Sequence, residues 1–132
     1  LWSKLRLHLP REEILRLSVG DTLDEPNRSA FPKNKDALIA AQRGQPMFEL
    51  AHRLLVEMAD ATGIKAYQAV ARRPHKFVHG YGIFQYDLQF FLTDPGYFLE
   101  GRWRHFSLSL GKCLEELRAA TRRVGLGNRQ SL

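Results

Sequence analysis

Met47, Ala51, Leu54, Leu55 and Met58 recur at steps of three and four between Pro46 and Gly63. At about 100° per residue, that spacing lines them up as one apolar stripe on an α-helix. Pro46 suits a first turn, where its missing N–H is no loss, and Gly63 suits the left-handed residue just past a helix end. A helix with a single apolar stripe must bury it, so the rest of the chain has to supply a core around this element.

The remaining segments read as shorter helices punctuated by proline and glycine. Pro10 opens a helix from Arg11 to Val19, with Glu12 and Glu13 in its first turn and Gly20 as stop. Asp36 to Arg43 reads as a helix ending at Gly44, and Ile64 to Arg73 as another ended by Pro74. Asp94-Pro95 is a cap followed by a first-turn proline, opening a short helix to Glu100. A long helix is expected from Trp103 to Val124, stopped by Gly125. Phe106, Leu110, Cys113, Leu114, Leu117 and Val124 lie along its apolar side, and Gly111 is a weak point or a close-packing spot. Asp21 to Lys35 is polar, contains Pro26 and Pro32, and forms the one long loop. Gly80 and Gly82 demand a tight turn or a short extended piece, after which helix resumes from Phe84 to Leu92. Strand signals are almost absent. The expectation is a mainly α single domain over residues 1–132 with a glycine-rich turn near its middle.

Composition narrows the class. With 132 residues, 44% hydrophobic and 26% charged, the chain has globular proportions and enough length to bury a core. Its one cysteine, Cys113, excludes an intramolecular disulfide framework. No apolar run approaches the roughly 20 residues of a spanning helix. The formal charge of +6 suits polyanions, whether nucleic acid, anionic lipid or an acidic cell-wall polymer.

Glu57 is the first candidate for chemistry. It borders the apolar stripe at roughly a right angle from its centre, whereas Glu49 and Asp60 fall on the solvated side. A half-buried carboxylate there would hold a proton near neutral pH, as a general acid for a glycosidic oxygen must. The plainer alternative is a flank glutamate with ordinary solvation. Gly80-Tyr81-Gly82-Ile83-Phe84-Gln85-Tyr86-Asp87 is the second candidate. Its glycines permit close backbone approach, Gln85 and Asp87 bring polar groups, and Tyr81, Phe84 and Tyr86 bring flat apolar faces. Together these make a carbohydrate surface, or else a turn packed by aromatics; as a phosphate cradle the segment lacks a following Lys-Ser/Thr. His75 and His79 are spaced for a helical zinc pair but stand between Pro74 and Gly80 without a third ligand, so no metal or other cofactor is expected. Cys113 reads as a core thiol. Ser107 and Ser109 have no nucleophile-elbow context. Arg72-Arg73, Arg102 with Arg104, and Arg118 with Arg122-Arg123 read as solvated faces, the last partly paired with Glu115 and Glu116.

The Gly80–Asp87 segment resembles the Gly-x-Gly-Leu-Met-Gln-Val-Asp signature of goose-type lysozymes and the Gly-Leu-Met-Gln signature of lytic transglycosylases. In those families a catalytic glutamate ends a helix upstream of the glycines, and Glu57 stands 23 positions before Gly80. The resemblance spans residues 46–124. It differs in having Met58 where a serine usually follows the glutamate, and Ile83-Phe84 for Leu-Met. The superfamily's later Ala-Tyr-Asn motif does not occur before Leu132, so the chain reads as a fragment of a longer one, or as a relative that has lost activity. Residues 1–45 match no motif.

The resemblance implies a lysozyme-like helical fold. It also implies a peptidoglycan-active glycosidase or lytic transglycosylase cleaving the β-1,4 bond between N-acetylmuramic acid and N-acetylglucosamine. Glu57 would be the general acid, and Asp87 matches the position of a second carboxylate that activates water. Tyr81, Gln85 and Tyr86 would line the sugar cleft. The partner would be peptidoglycan or another glycan, and the compartment periplasmic or extracellular. The alternatives are a non-catalytic basic helical module that binds cell-wall polymer or nucleic acid, and a fragment completed by a protein partner.

Overall fold

The computed structural model describes residues 9–131, with side chains placed through residue 122. Helix α1 (Arg11–Arg16) follows Pro10, carries Glu12 and Glu13 at its positive end and buries Ile14 and Leu15. It stops earlier than expected. Val19 has left the helix and forms, with Gly20, strand β1 (Val19–Gly20). After the long loop, the Asn34 side chain accepts from the Ala37 N–H and caps α2 (Lys35–Ile39). Gly44 does not end that helix. It opens α3 (Gly44–Thr62) and comes so close to the Leu38 carbonyl that a Cβ there would collide with it. Gly63, at φ 66°, terminates α3 as the sequence requires.

The five stripe residues of α3 are all at most 1% exposed. Burying each of the four large ones, Met47, Leu54, Leu55 and Met58, contributes about 2 kcal/mol, which makes α3 the axis of the core. Helix α4 (Lys65–Ala71) packs beside it. Three very short antiparallel strands follow the order β1, β2 (Gly80–Tyr81), β3 (Tyr86–Asp87). The expected helix from Phe84 to Leu92 is replaced by a turn, β3 and a 3-10 segment, Leu88–Leu92. Helix α5 (Pro95–Leu99) is capped by Asp94, and a 3-10 turn at Arg102–Arg104 leads into α6 (Phe106–Ser131). Gly125 does not stop α6.

Cross-strand register decides which residues face the core. Val19, Tyr81 and Tyr86 oppose one another in one row, and Gly20, Gly80 and Asp87 in the other. Opposed residues share a face. Val19 and Tyr81 are fully buried and Tyr86 packs against the core, so the second row lies on the other face. The Tyr81 ring stands edge-on to Phe98 and Trp103, and the Trp103 indole donates to the Arg16 carbonyl at 3.0 Å. The aromatic contacts thereby join α1, the sheet and α5. The expected buried side of α6 is only half-covered: Phe106, Leu114 and Leu117 are exposed and Cys113 is intermediate. The Val124 side chain lies outside the described residues. Among the described residues no helix is long and apolar enough to cross a membrane.

Candidate functional site

The β2–β3 hairpin is shaped by the two residues that adopt left-handed backbone. Gly82 sits at φ 83° and Gln85 at φ 51°. Gly82 is demanded twice, because a Cβ there would also press on the Ser109 Oγ at 2.9 Å and the Trp103 Cβ at 3.2 Å. The Gln85 side chain folds back over the sheet. Its Nε2 donates to the Gly82 carbonyl at 2.8 Å and to the Ser18 carbonyl at 3.1 Å. Its carboxamide occupies the space above Gly80 that a Cβ would fill. The glycine of the second row is therefore a seat for Gln85.

Between this hairpin and α6 lies a groove of about 380 Å³. Phe84, Gln85, Tyr86, Asp87 and Phe90 form one side, and Cys113, Glu116, Leu117 and Ala120 the other. Tyr86 and Phe90 stack with centroids 4.8 Å apart and planes at 17°. Burial pushes the Tyr86 hydroxyl up to about 12, so it remains a protonated donor near neutral pH. Three of the five residues singled out in the sequence, Gln85, Tyr86 and Asp87, thus meet at one groove.

Asp87 is anchored from behind. Its carboxylate receives Arg28 Nη2 at 2.6 Å and Nη1 at 3.3 Å, and also the Gln89 N–H at 2.8 Å. Arg28 is 7% exposed; its Nε donates to the Pro32 carbonyl and its Nη2 also to the Phe31 carbonyl. One guanidinium therefore ties the long loop to β3. A second tie is His79, whose backbone N–H and Nδ1 both reach the Asp21 carbonyl, at 2.8 and 2.9 Å. A carbonyl only accepts, so Nδ1 carries the proton. Burial holds the His79 imidazole below its ordinary range, with the charge of Arg28 acting in the same direction against the contrary pull of Asp21 and Asp87. Lys76 adds a third tie, 2.7 Å from Asp24.

Glu57 and Tyr81 stand apart from the groove. Glu57 was expected to rest against an apolar wall; instead its two oxygens receive Arg16 Nη1 at 3.0 Å and Nη2 at 3.3 Å. Arg16 also grips Glu13 at 2.8 Å, and the two carboxylates together, Glu13 first, hold its guanidinium more firmly charged than usual. Glu57 is 40% exposed and does not line the groove. Tyr81 was expected to line a sugar cleft, but it is 0% exposed and its hydroxyl donates to the Val78 carbonyl at 2.9 Å. It braces the hairpin from the core side. His75 is exposed and His79 buried, and among the described residues no three His, Cys, Asp or Glu side chains gather as a metal cage.

Two residues were missed. Arg28 lies 59 positions from Asp87, and nothing in its local sequence marks it apart from the other arginines. Glu116 was read as a partner for arginines on its own helix, yet it faces the hairpin across the groove. Comparison with known protein families, curated proteins and solved structures finds no match.

Proposed function

We propose that this chain is a carbohydrate-directed domain of the lysozyme-like kind, which seats a glycan strand such as peptidoglycan in the groove between the β2–β3 hairpin and α6. The observation that carries the reading is the convergence of Gln85, Tyr86 and Asp87 there, beside the apolar faces of Phe84 and Phe90. A sugar ring offers apolar C–H faces and a rim of hydroxyls. Aromatic side chains cover the former and carboxylate or amide groups bind the latter. Co-sedimentation with purified sacculi tests this. The wild-type chain should pellet with them and Phe84→Ala should pellet markedly less. Equal pelleting of both, or binding to DNA that falls steeply with salt and no binding to sacculi, would count against the groove.

One observation favours a catalytic form of the same reading: two carboxylates, Asp87 and Glu116, line the groove. Glycoside cleavage uses such a pair, one side chain protonating the leaving oxygen and one stabilising or activating from the other face. Arg28 holds the Asp87 carboxylate in place through two N–H donors, which suits the second task. Glu116 would then be the acid for the β-1,4 bond between N-acetylmuramic acid and N-acetylglucosamine. Glu57 could take that role only after releasing Arg16. Muropeptide release from sacculi by wild type, Glu57→Gln, Asp87→Asn and Glu116→Gln separates the candidates. Loss in the last two with retention in the first is the expected pattern.

A further inference from the structure

The loop over residues 21–34 is held to the domain by polar ties more than by packing. Within it only Pro32 is buried. Its first residue, Asp21, adopts φ 58°, a left-handed conformation that a residue with a side chain holds at a cost. Three side chains fasten it. Lys76 reaches the Thr22 carbonyl and Asp24, Arg28 reaches Asp87, and His79 grips the Asp21 carbonyl through both its backbone N–H and its Nδ1–H. Of the three, only the histidine changes charge near neutral pH. His79 is 1% exposed, and its Nε2 is buried without a hydrogen-bond partner. A neutral imidazole tolerates that position, because Nδ1 carries the proton and Nε2 merely goes without a donor. A second proton, on Nε2, would bury a charged N–H with nothing to receive it. His52 contrasts with it. That ring is half-buried and also turns Nδ1 to a carbonyl, that of Lys76 at 2.7 Å, but its Nε2 is not among the buried, unpartnered atoms.

The charges that act on the His79 ring are Asp21 and Arg28 from the loop and Asp87 from β3; Lys76, on the ring's own segment, is paired with Asp24. Burial is the main cause that holds the imidazole below its ordinary value; Arg28 adds to it, and Asp21 and Asp87 oppose it. Phe77 packs on the ring with centroids 4.5 Å apart and offers a proton on Nε2 no acceptor. Opening the loop brings the ring to water, where it can take that proton freely. We propose that residues 21–34 form a strap that acid releases: protonation of His79 at Nε2 drives the loop off the ring, and Arg28 leaves Asp87 with it, freeing that carboxylate at the groove. The inference holds whatever the groove binds. The closed strap is fully favoured above the ordinary histidine value of about 6.5. Below it, opening gains up to about tenfold for each pH unit until the depressed closed-state value is passed.

The test is hydrogen exchange of the whole chain at about pH 7.5 and about pH 5.5, each rate corrected for intrinsic exchange at that pH. The Glu25 and Asn27 amides, bonded to the Lys33 and Asp24 carbonyls, report on the loop, and the α3 amides report on global unfolding. Loop amides should be far less protected than α3 amides at both values, and their protection should fall several-fold, up to about tenfold, at the lower one. In His79→Gln that fall should vanish. The Arg28 Nε–H, bonded to the Pro32 carbonyl, follows the release of Asp87. Its protection relative to the exposed Arg72 should fall by the same factor as that of the Glu25 amide. Loop amides as protected as those of α3 would overturn the strap, since the loop would then open only with the whole domain. A pH-independent loop in the wild type, or a fall that persists in His79→Gln, would overturn the role of His79. The wild-type measurement decides the first two points even if the variant does not fold. Loop amides that open while Arg28 keeps its protection would overturn the freeing of Asp87.

Discussion

Gly80→Ala isolates the role of Gln85 in building the hairpin. Gly80 does not adopt a positive φ, so alanine costs nothing in backbone strain there. Every atom that its Cβ would crowd belongs to Gln85. Alanine must therefore lift the carboxamide away and break the bonds from Nε2 to the Gly82 and Ser18 carbonyls. At about 1 kcal/mol net per hydrogen bond the loss is about 2 kcal/mol. Restricting the unfolded chain returns about 0.5 kcal/mol, so the variant should be less stable by about 1.5 kcal/mol. In a Gln85→Ala background the obstructing amide is gone, and only the gain from the unfolded state is left. There Gly80→Ala should stabilise by about 0.5 kcal/mol. Urea unfolding of the four proteins at one temperature measures the cycle, with a coupling of about 2 kcal/mol and a reversal of sign as the expected result. If Gly80→Ala costs the same in both backgrounds, Gln85 is not what the glycine accommodates, and the account of the hairpin is wrong.

Replacing Arg28 by methionine leaves Asp87 without its guanidinium and releases the loop over residues 21–34; we expect a loss of about 3 kcal/mol in urea unfolding and faster limited proteolysis within that loop. His79 is buried neutral, so the unfolded chain binds more protons below its ordinary value of about 6.5. Stability should therefore fall as pH drops below that point, by at most about 1.4 kcal/mol per unit, until the depressed folded value is passed. His79→Gln should flatten the dependence over the same interval. Leu54→Ala, at the centre of the α3 stripe, should cost about 2–5 kcal/mol by the same assay. Gly82→Ala combines an unfavourable φ with contacts against Ser109 and Trp103 and should lower the thermal midpoint by several degrees, which circular dichroism would detect.

What was legible in the sequence is what depends on neighbours a few residues away. The α3 stripe, its stop at Gly63 and the Asp94 cap of α5 are all set within one or two helical turns, and each appears where the local pattern places it. The strands were not legible because each is two residues long, too short for a period-two pattern to exist. Gly20 and Gly44 mislead for a related reason. Both look like helix stops, but one belongs to a strand and the other makes room for the Leu38 carbonyl, a contact that only the packed structure creates. The apolar spacing on α6 marks a side that the groove leaves half-open.

The two acidic residues that the resemblance elevated met different fates for one physical reason. A carboxylate's chemistry is set by the charges brought next to it, and those come from far along the chain. Glu57 gains Arg16, 41 positions away, and Asp87 gains Arg28, 59 positions away. Spacing on a helix can predict that Glu57 borders the core, and it does. It cannot predict that α1 delivers a guanidinium to that border. The difference lies in where each pair stands. Arg16 and Arg28 each meet both oxygens of their carboxylate, but Asp87 is one of the residues that line the groove and Glu57 is not. For that reason Asp87, rather than Glu57, is where a search for this chain's chemistry should begin.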